Sequence, residues 1–240
     1  MIISVIMLWP VISLLFLSFG DSQGLWKHLF ETVLIKYVST TLILMIGVVS
    51  LALIFGVSAA WIITRYNFLF KRYVDMILIL PAACPAYLVA YAYTDFFEYA
   101  GPVQGMLRHL MDWSSASDYY FPEIRSTGGA IFVLASVLYP YIYLLARTAF
   151  SQTPSSLLEV SSIYGRNKFL HVSLPMARPA IVAGSALVCM EVVSDFGTVE
   201  YFSLETLTLG IFNVWIGMNN ITAASQIAIF TFLFIVLLLL

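Results

Sequence analysis

Glu191 and Asp195 stand four residues apart inside a long apolar run, with Glu200 and Tyr201 at its far end. On a helix that spacing places both carboxylates on one face. An ionisable group at membrane depth is expensive, so such acids either line a polar path or hold helices together through pairing. Asp95 and Glu98, beside Tyr91, Tyr93 and Tyr99, form a second oxygen-rich group, although tyrosine also belongs at membrane interfaces for packing alone. Carboxylate and phenolate oxygens suit a hard cation. Contacts along a path must be weak and successive, so no tight metal site is expected.

Other chemistries find no residues to carry them. There is no Gly-rich loop ending in Gly-Lys-Ser/Thr, no paired-His zinc helix, no Gly-x-Ser-x-Gly elbow and no dinucleotide fingerprint. An enzyme would need a convergent nucleophile or metal constellation, so neither enzymatic activity nor a bound cofactor is expected of this chain. His28, His109 and His171 fall in or near loops, and Cys84 and Cys189 sit apart in apolar surroundings, where packing explains them. A net charge of −2 gives no reason to expect nucleic acid.

The elements that position these residues are set by composition. Hydrophobic residues make up 61% of the chain and charged ones 10%, with a mean hydropathy of +0.95, which requires an integral membrane protein. Apolar runs of about 20 residues recur throughout and lack the alternation of barrel strands, so the fold class is all-α, a polytopic helix bundle. About six spans are expected, over Ile2–Phe19, Tyr37–Ile63, Asp75–Phe97, Thr127–Arg147, Ala180–Glu200 and Ile221–Leu240. The first is read as a retained helix rather than a signal peptide, because no Lys or Arg precedes it and Trp9-Pro10 interrupts its core. Residues 1–240 are read as a single transmembrane domain.

Basic residues orient it. Arg65, Lys71 and Arg72 share one short loop, and Arg147, Arg166, Lys168 and Arg178 follow the fourth span on the same side. On the opposite side Lys27, Lys36, Arg108 and Arg125 are mixed with Asp21, Glu31, Glu98, Asp112, Asp118 and Glu123. The positive-inside rule therefore places the N-terminus in the cytoplasm.

Between the fourth and fifth spans lies a polar, basic island, Glu159–Pro179, within the loop 148–179. Thr153-Pro154 is a helix start, with a capping hydroxyl before a first-turn proline, and Gly165 is a stop. The helix between them puts Leu157, Val160, Ser161 and Tyr164 on one face, with Glu159 and Ile163 elsewhere. That face suits protein docking better than lipid, which needs a larger apolar face. Leu174-Pro175 and Arg178-Pro179 should join the island to the fifth span at a defined bend.

The island resembles the EAA loop of ABC importer permeases, whose pattern is Glu-Ala-Ala, three residues, Gly, a spacer, then Leu-Pro and a further Pro. Glu159, Gly165, Leu174, Pro175 and Pro179 match it, while Val160 and Ser161 replace the alanines and the spacer is about three residues shorter. The segments AYLVAYAYTDFFEYAGPVQ, YFPEIRSTGGA, LYPYIYLLARTAF and MEVVSDFGTVEYF are similar to the N-terminal half of ferric-iron-type permeases. The resemblance implies a type I ABC importer permease fold in a bacterial inner membrane. It also implies a cytoplasmic ATPase dimer that binds ATP, a periplasmic substrate-binding protein, and a second six-span half, covalent or as a second copy. On that reading Glu159 and Gly165, with Ser161, Leu174, Pro175 and Pro179 of the same loop, couple the chain to the ATPase, and the helical face adds Leu157, Val160 and Tyr164. For the ferric ion that this family implies, the chemistry of the acids makes Glu191, Asp195, Glu200 and Tyr201 candidates for the path, with helix packing the alternative; Asp95 and Glu98 could line the same entrance, although an interfacial role explains that tyrosine-rich group better. The end at Leu240 inside an apolar run reads as that of a fragment. Thiamine, polyamine and phosphonate importers share the architecture, and an ion-coupled secondary transporter is the alternative that Pro81 and Pro85 leave open by threatening the third span.

Overall fold

The computed structural model describes residues 2–22 and 24–239. Its twelve α-helices, with no strand among the described residues, are α1 (Ile2–Ser18), α2 (Leu25–Thr32), α3 (Leu34–Arg65), α4 (Lys71–Ile79), α5 (Ala86–Phe97), α6 (Pro102–Met111), α7 (Thr127–Ser151), α8 (Ser155–Ile163), α9 (Leu174–Ser194), α10 (Gly197–Tyr201), α11 (Leu207–Phe212) and α12 (Ile221–Leu239). Four segments are long and apolar enough to cross a membrane: Leu34–Arg65, Thr127–Ser151, Phe169–Ser194 and Ile221–Leu238. The fold is an all-α membrane helix bundle.

Two of the six expected spans differ in form. The first is the 17-residue α1, about 25 Å long at 1.5 Å per residue and slightly short of a ~30 Å hydrocarbon core. The third is not one helix. Lys71–Ala83 and Ala86–Met111 meet at 103°, counting as a fifth span only if the bent pair is taken together. Its cause is local: Cys84 precedes Pro85 and is extended (φ −98°, ψ 127°), the conformation that a following proline imposes. Cys84 is exposed at this break rather than packed as expected. The fifth span begins earlier than Ala180, because a π-helical turn over Phe169–Ser173 runs directly into α9.

The chain divides into two compact units, Met1–Ile43 with Val193–Leu240, and Leu44–Val192. In the first, Leu29, Val214, Ala223, Ala224 and Ile227 form a buried core. Gln226 on α12 accepts from the Trp26 indole and donates to the carbonyls of Ser18 (2.9 Å) and Gly20 (3.1 Å). These bonds satisfy backbone groups at the end of α1 that hydrocarbon could not.

In the second unit, α7 is the most buried of the four spans. It is approached at one residue from two sides. A Cβ on Gly184 of α9 would lie 2.9 Å from Ile142 Cα, and one on Gly56 of α3 would lie 3.0 Å from Ile142 Cβ. Small residues let spans close to backbone contact, which supplies the packing attraction that lipid cannot. Below this crossing Ala60, Ile63, Tyr143, Ala146, Phe150 and Ala177 are buried together, with Trp61 and Phe169 packed against them.

Candidate functional site

The loop that holds the island leaves α7 at Ser151 and becomes helical again at Phe169. Its helix forms where the sequence places it, as α8 with Pro154 at the N-cap and Tyr164 at the C-cap. Thr153 does not cap it. The Thr153 hydroxyl instead donates back to the Ala149 carbonyl of α7 (3.3 Å), and Pro154, lacking an N–H, starts the helix without a side-chain acceptor.

The other end is closed by Gly165, which is left-handed at φ 63°. Gly165 N–H donates to Ser162 O (3.0 Å) and Arg166 N–H to Ser161 O (2.9 Å). These two bonds are the Schellman motif, which needs a residue tolerant of positive φ at that position.

The helix faces are resolved by burial. Leu158 and Ser161 are buried, while Leu157, Glu159, Val160, Ile163 and Tyr164 are exposed, Ile163 at 82% and Tyr164 at 77%. Ser161 therefore does not belong to the outer face expected for it; its hydroxyl donates to Arg166 O (3.0 Å) and tightens the C-terminal turn. Ile163 takes its place, so the outward apolar surface is Leu157, Val160, Ile163 and Tyr164. A 3.6 period identifies faces but not which of them meets the protein, and here Leu158 decides that.

Return to the membrane is helical from Phe169 onward. The Asn167 side-chain oxygen accepts from Phe169 N (2.9 Å) and Leu170 N (3.1 Å), starting the π turn that leads into α9. Leu174 is right-handed helical at φ −63°, Pro175 lies in the first turn and Pro179 lies inside the helix. The residues before the two prolines do not leave the helix as expected, because α9 runs through both from Leu174 to Ser194. Prolines remove donors from the i→i−4 ladder, and a π turn is one means by which membrane helices re-satisfy the freed backbone groups.

Both ends of the island are anchored by residues that sequence reading did not single out. Phe150 at the end of α7 and Phe169 at the start of the π turn both pack on Trp61 of α3, with ring centroids 5.6 Å and 5.0 Å away, and lie 6.2 Å from each other. Each such pair contributes about 0.5–1.5 kcal/mol beyond area burial. Nearby, Asp75 on α4 accepts from Tyr143 Oη (2.5 Å) and Arg147 Nη2 (2.5 Å) on α7. Opposite charges at the ends of two expected spans were the available signal for this pair; the aromatic cluster offered none, since its members are ordinary core residues far apart in sequence.

The acids separate into two groups. α9 ends at Ser194, so Asp195 does not share a helical face with Glu191. Asp195 accepts from the backbone of Thr198 (2.9 Å) and Val199 (3.1 Å) and from the Thr198 hydroxyl (3.0 Å), capping α10. Glu98 pairs with Arg125 at 2.7 Å and lines a cleft of about 610 Å³ with Tyr99, Tyr119, Tyr120 and Phe121, a lining that does not include Asp95. Glu191, Glu200 and Asp95 are exposed, and Tyr201 is half-buried on α10. No three His, Cys, Asp or Glu side chains converge among the described residues.

Residues 52–240 match the family described as binding-protein-dependent transport system inner membrane component, and the chain belongs to it. It is 24% identical over 200 residues to the Fe(3+)-transport system permease protein FbpB 2 of Haemophilus influenzae, covering 82% of this chain and 35% of that protein. It is 25% identical over 217 residues to the sulfate transport system permease protein CysW of Escherichia coli K12, covering 85% and 70%. The chain thus spans about a third of the length of the iron relative. The fold is similar to that of a chain in the crystal structure of a bacterial alginate ABC transporter in complex with an alginate-pentasaccharide-bound periplasmic protein. That match has a TM-score of 0.76 and 15% identity, over 99% of this chain and 89% of the other.

Proposed function

We propose that the chain is a permease subunit of an ATP-driven importer, and that α8 is the element through which a cytoplasmic ATPase dimer moves it. The observation that carries this reading is the exposed apolar surface of Leu157, Val160, Ile163 and Tyr164 on a helix tied at both ends to α3 through Trp61. A helix exposing that much apolar surface in water fits a groove on a partner protein. The tether makes displacement of α8 a displacement of α7 and α9.

In this scheme the N-terminus is cytoplasmic, ATP binds and is hydrolysed on the partner, and closure of the ATPase pair opens the bundle outward to a periplasmic binding protein. Hydrolysis resets it. A second six-span half, covalent or a second copy, completes the pathway. The proposed cargo is a ferric ion: one relative is named for Fe(3+), and the exposed carboxylates of Glu191, Glu200 and Asp95 suit a hard cation. The relative named for sulfate supports a second reading, an oxyanion cargo, which those carboxylates would repel. ATPase activity of the reconstituted complex tests both. Stimulation by an iron-loaded binding protein supports the first reading, and stimulation only by a sulfate-loaded one overturns it.

A further inference from the structure

Three helix ends meet around a second cleft, of about 470 Å³, lined by Ile63, Thr64, Arg65, Lys71, Asp75, Arg147, Thr148, Phe150 and Ser151. Arg65 is the last residue of α3, Lys71 the first of α4, and Arg147 lies in the last turns of α7. Three cations face one carboxylate, and that carboxylate is already shared between Arg147 and Tyr143.

Arg65 is the least satisfied of the three. Its guanidinium lies over the Trp61 ring at 5.1 Å and Nη2 reaches Ser173 Oγ at only 3.4 Å. Its Nε is buried without an acceptor, the one such side-chain atom among the described residues. Arg65 lines the cleft, and its contacts within the chain leave the guanidinium short of acceptors for its five N–H donors. The cleft's own hydroxyls offer no donors to an external acceptor: Thr64, Thr148 and Ser151 each donate to a carbonyl of their own helix. Recognition must come from the guanidinium and ammonium groups, which select a phosphate-like anion.

We propose that this cleft holds the phosphate of an anionic phospholipid headgroup. Both α3 and α7 are spans, so their ends lie at headgroup depth, where lipid phosphates are the abundant anions. Basic pockets between transmembrane helices are a known solution for binding them. The bound headgroup bridges the ends of α3, α4 and α7 beside Phe150, at the root of the island. This inference rests on the membrane fold and not on the role assigned to α8.

The test is selective lipid retention by the full chain purified in mild detergent, followed by native mass spectrometry. Phosphatidylglycerol and phosphatidylcholine are added in parallel, with inorganic phosphate as a competitor. Phosphatidylglycerol should be retained preferentially, and Lys71→Gln with Arg65→Gln should each lower its retention about fivefold, as expected for one cation at a lipid surface. Lys71→Arg should restore it. Since Arg65 packs on Trp61, the half-exposed Lys71 keeps the test valid if Arg65→Gln fails to fold. Equal retention of the two lipids, unchanged retention in Lys71→Gln, or displacement by millimolar inorganic phosphate would overturn the proposal.

Discussion

The island and the end of α9 each invert the usual match between side chain and surroundings. In α8, apolar Leu157, Val160, Ile163 and Tyr164 are exposed in a polar, basic loop. In the last turns of α9, Glu191 is exposed on an apolar span. Asp195, only four residues on, shows what the same chemistry looks like when it is spent locally, because all its described bonds go to the start of α10. A mismatch with no internal resolution points to a partner or a solute; a satisfied group points to structure.

Substitutions test that contrast. The largest effect is expected at α8: Gly165→Pro removes both the positive φ and the N–H that closes on Ser162, and should abolish ATPase co-purification and uptake together. Next is Glu191→Gln, which should lower uptake severalfold with unchanged thermal stability; uptake at the normal level would remove Glu191 from the mechanism. Asp195→Ala should do the reverse, costing about 0.5–2 kcal/mol of stability as a lost cap and altering uptake only in proportion to folded protein. A stability-neutral Asp195→Ala that still abolished transport would dissolve the distinction.

The smallest effect is expected in the loop before α7. Hydrogen bonds from the backbone N–H groups of Ser115 and Ser114 hold the Asp118 carboxyl below its usual range. A depressed folded-state value means that this contribution is present above the ordinary carboxylate range and lost as pH falls through the depressed one. Fluorescence of Trp113, stacked on Tyr119 at 4.8 Å, should therefore change under acid conditions, and Asp118→Asn should remove that step.

Much of this was legible in the sequence because membrane helices are written in long apolar runs and helix ends in Gly and Pro. α8 and its Gly165 stop follow from local rules, as does the strain that Pro81 and Pro85 place on the third span. What local rules could not supply was tertiary. Ser161 turned inward because Leu158 found the protein, α9 runs through Pro175 and Pro179 after a π turn that the local rules did not foresee, and Trp61, Phe150 and Phe169 met only through the fold. Asp195 left the helical face because α9 stops at Ser194, and no glycine or proline marks that stop.

If the outward face of α8 engages the ATPase, as proposed, co-purification of the ATPase with Val160→Glu will show it. Val160 is exposed and outside the buried core, so the variant should fold with normal thermal stability yet retain no ATPase. Tyr120→Ser, at an exposed position of the opposite loop, should retain it fully. Capture of the ATPase by Val160→Glu at the level of the unaltered chain would contradict the account.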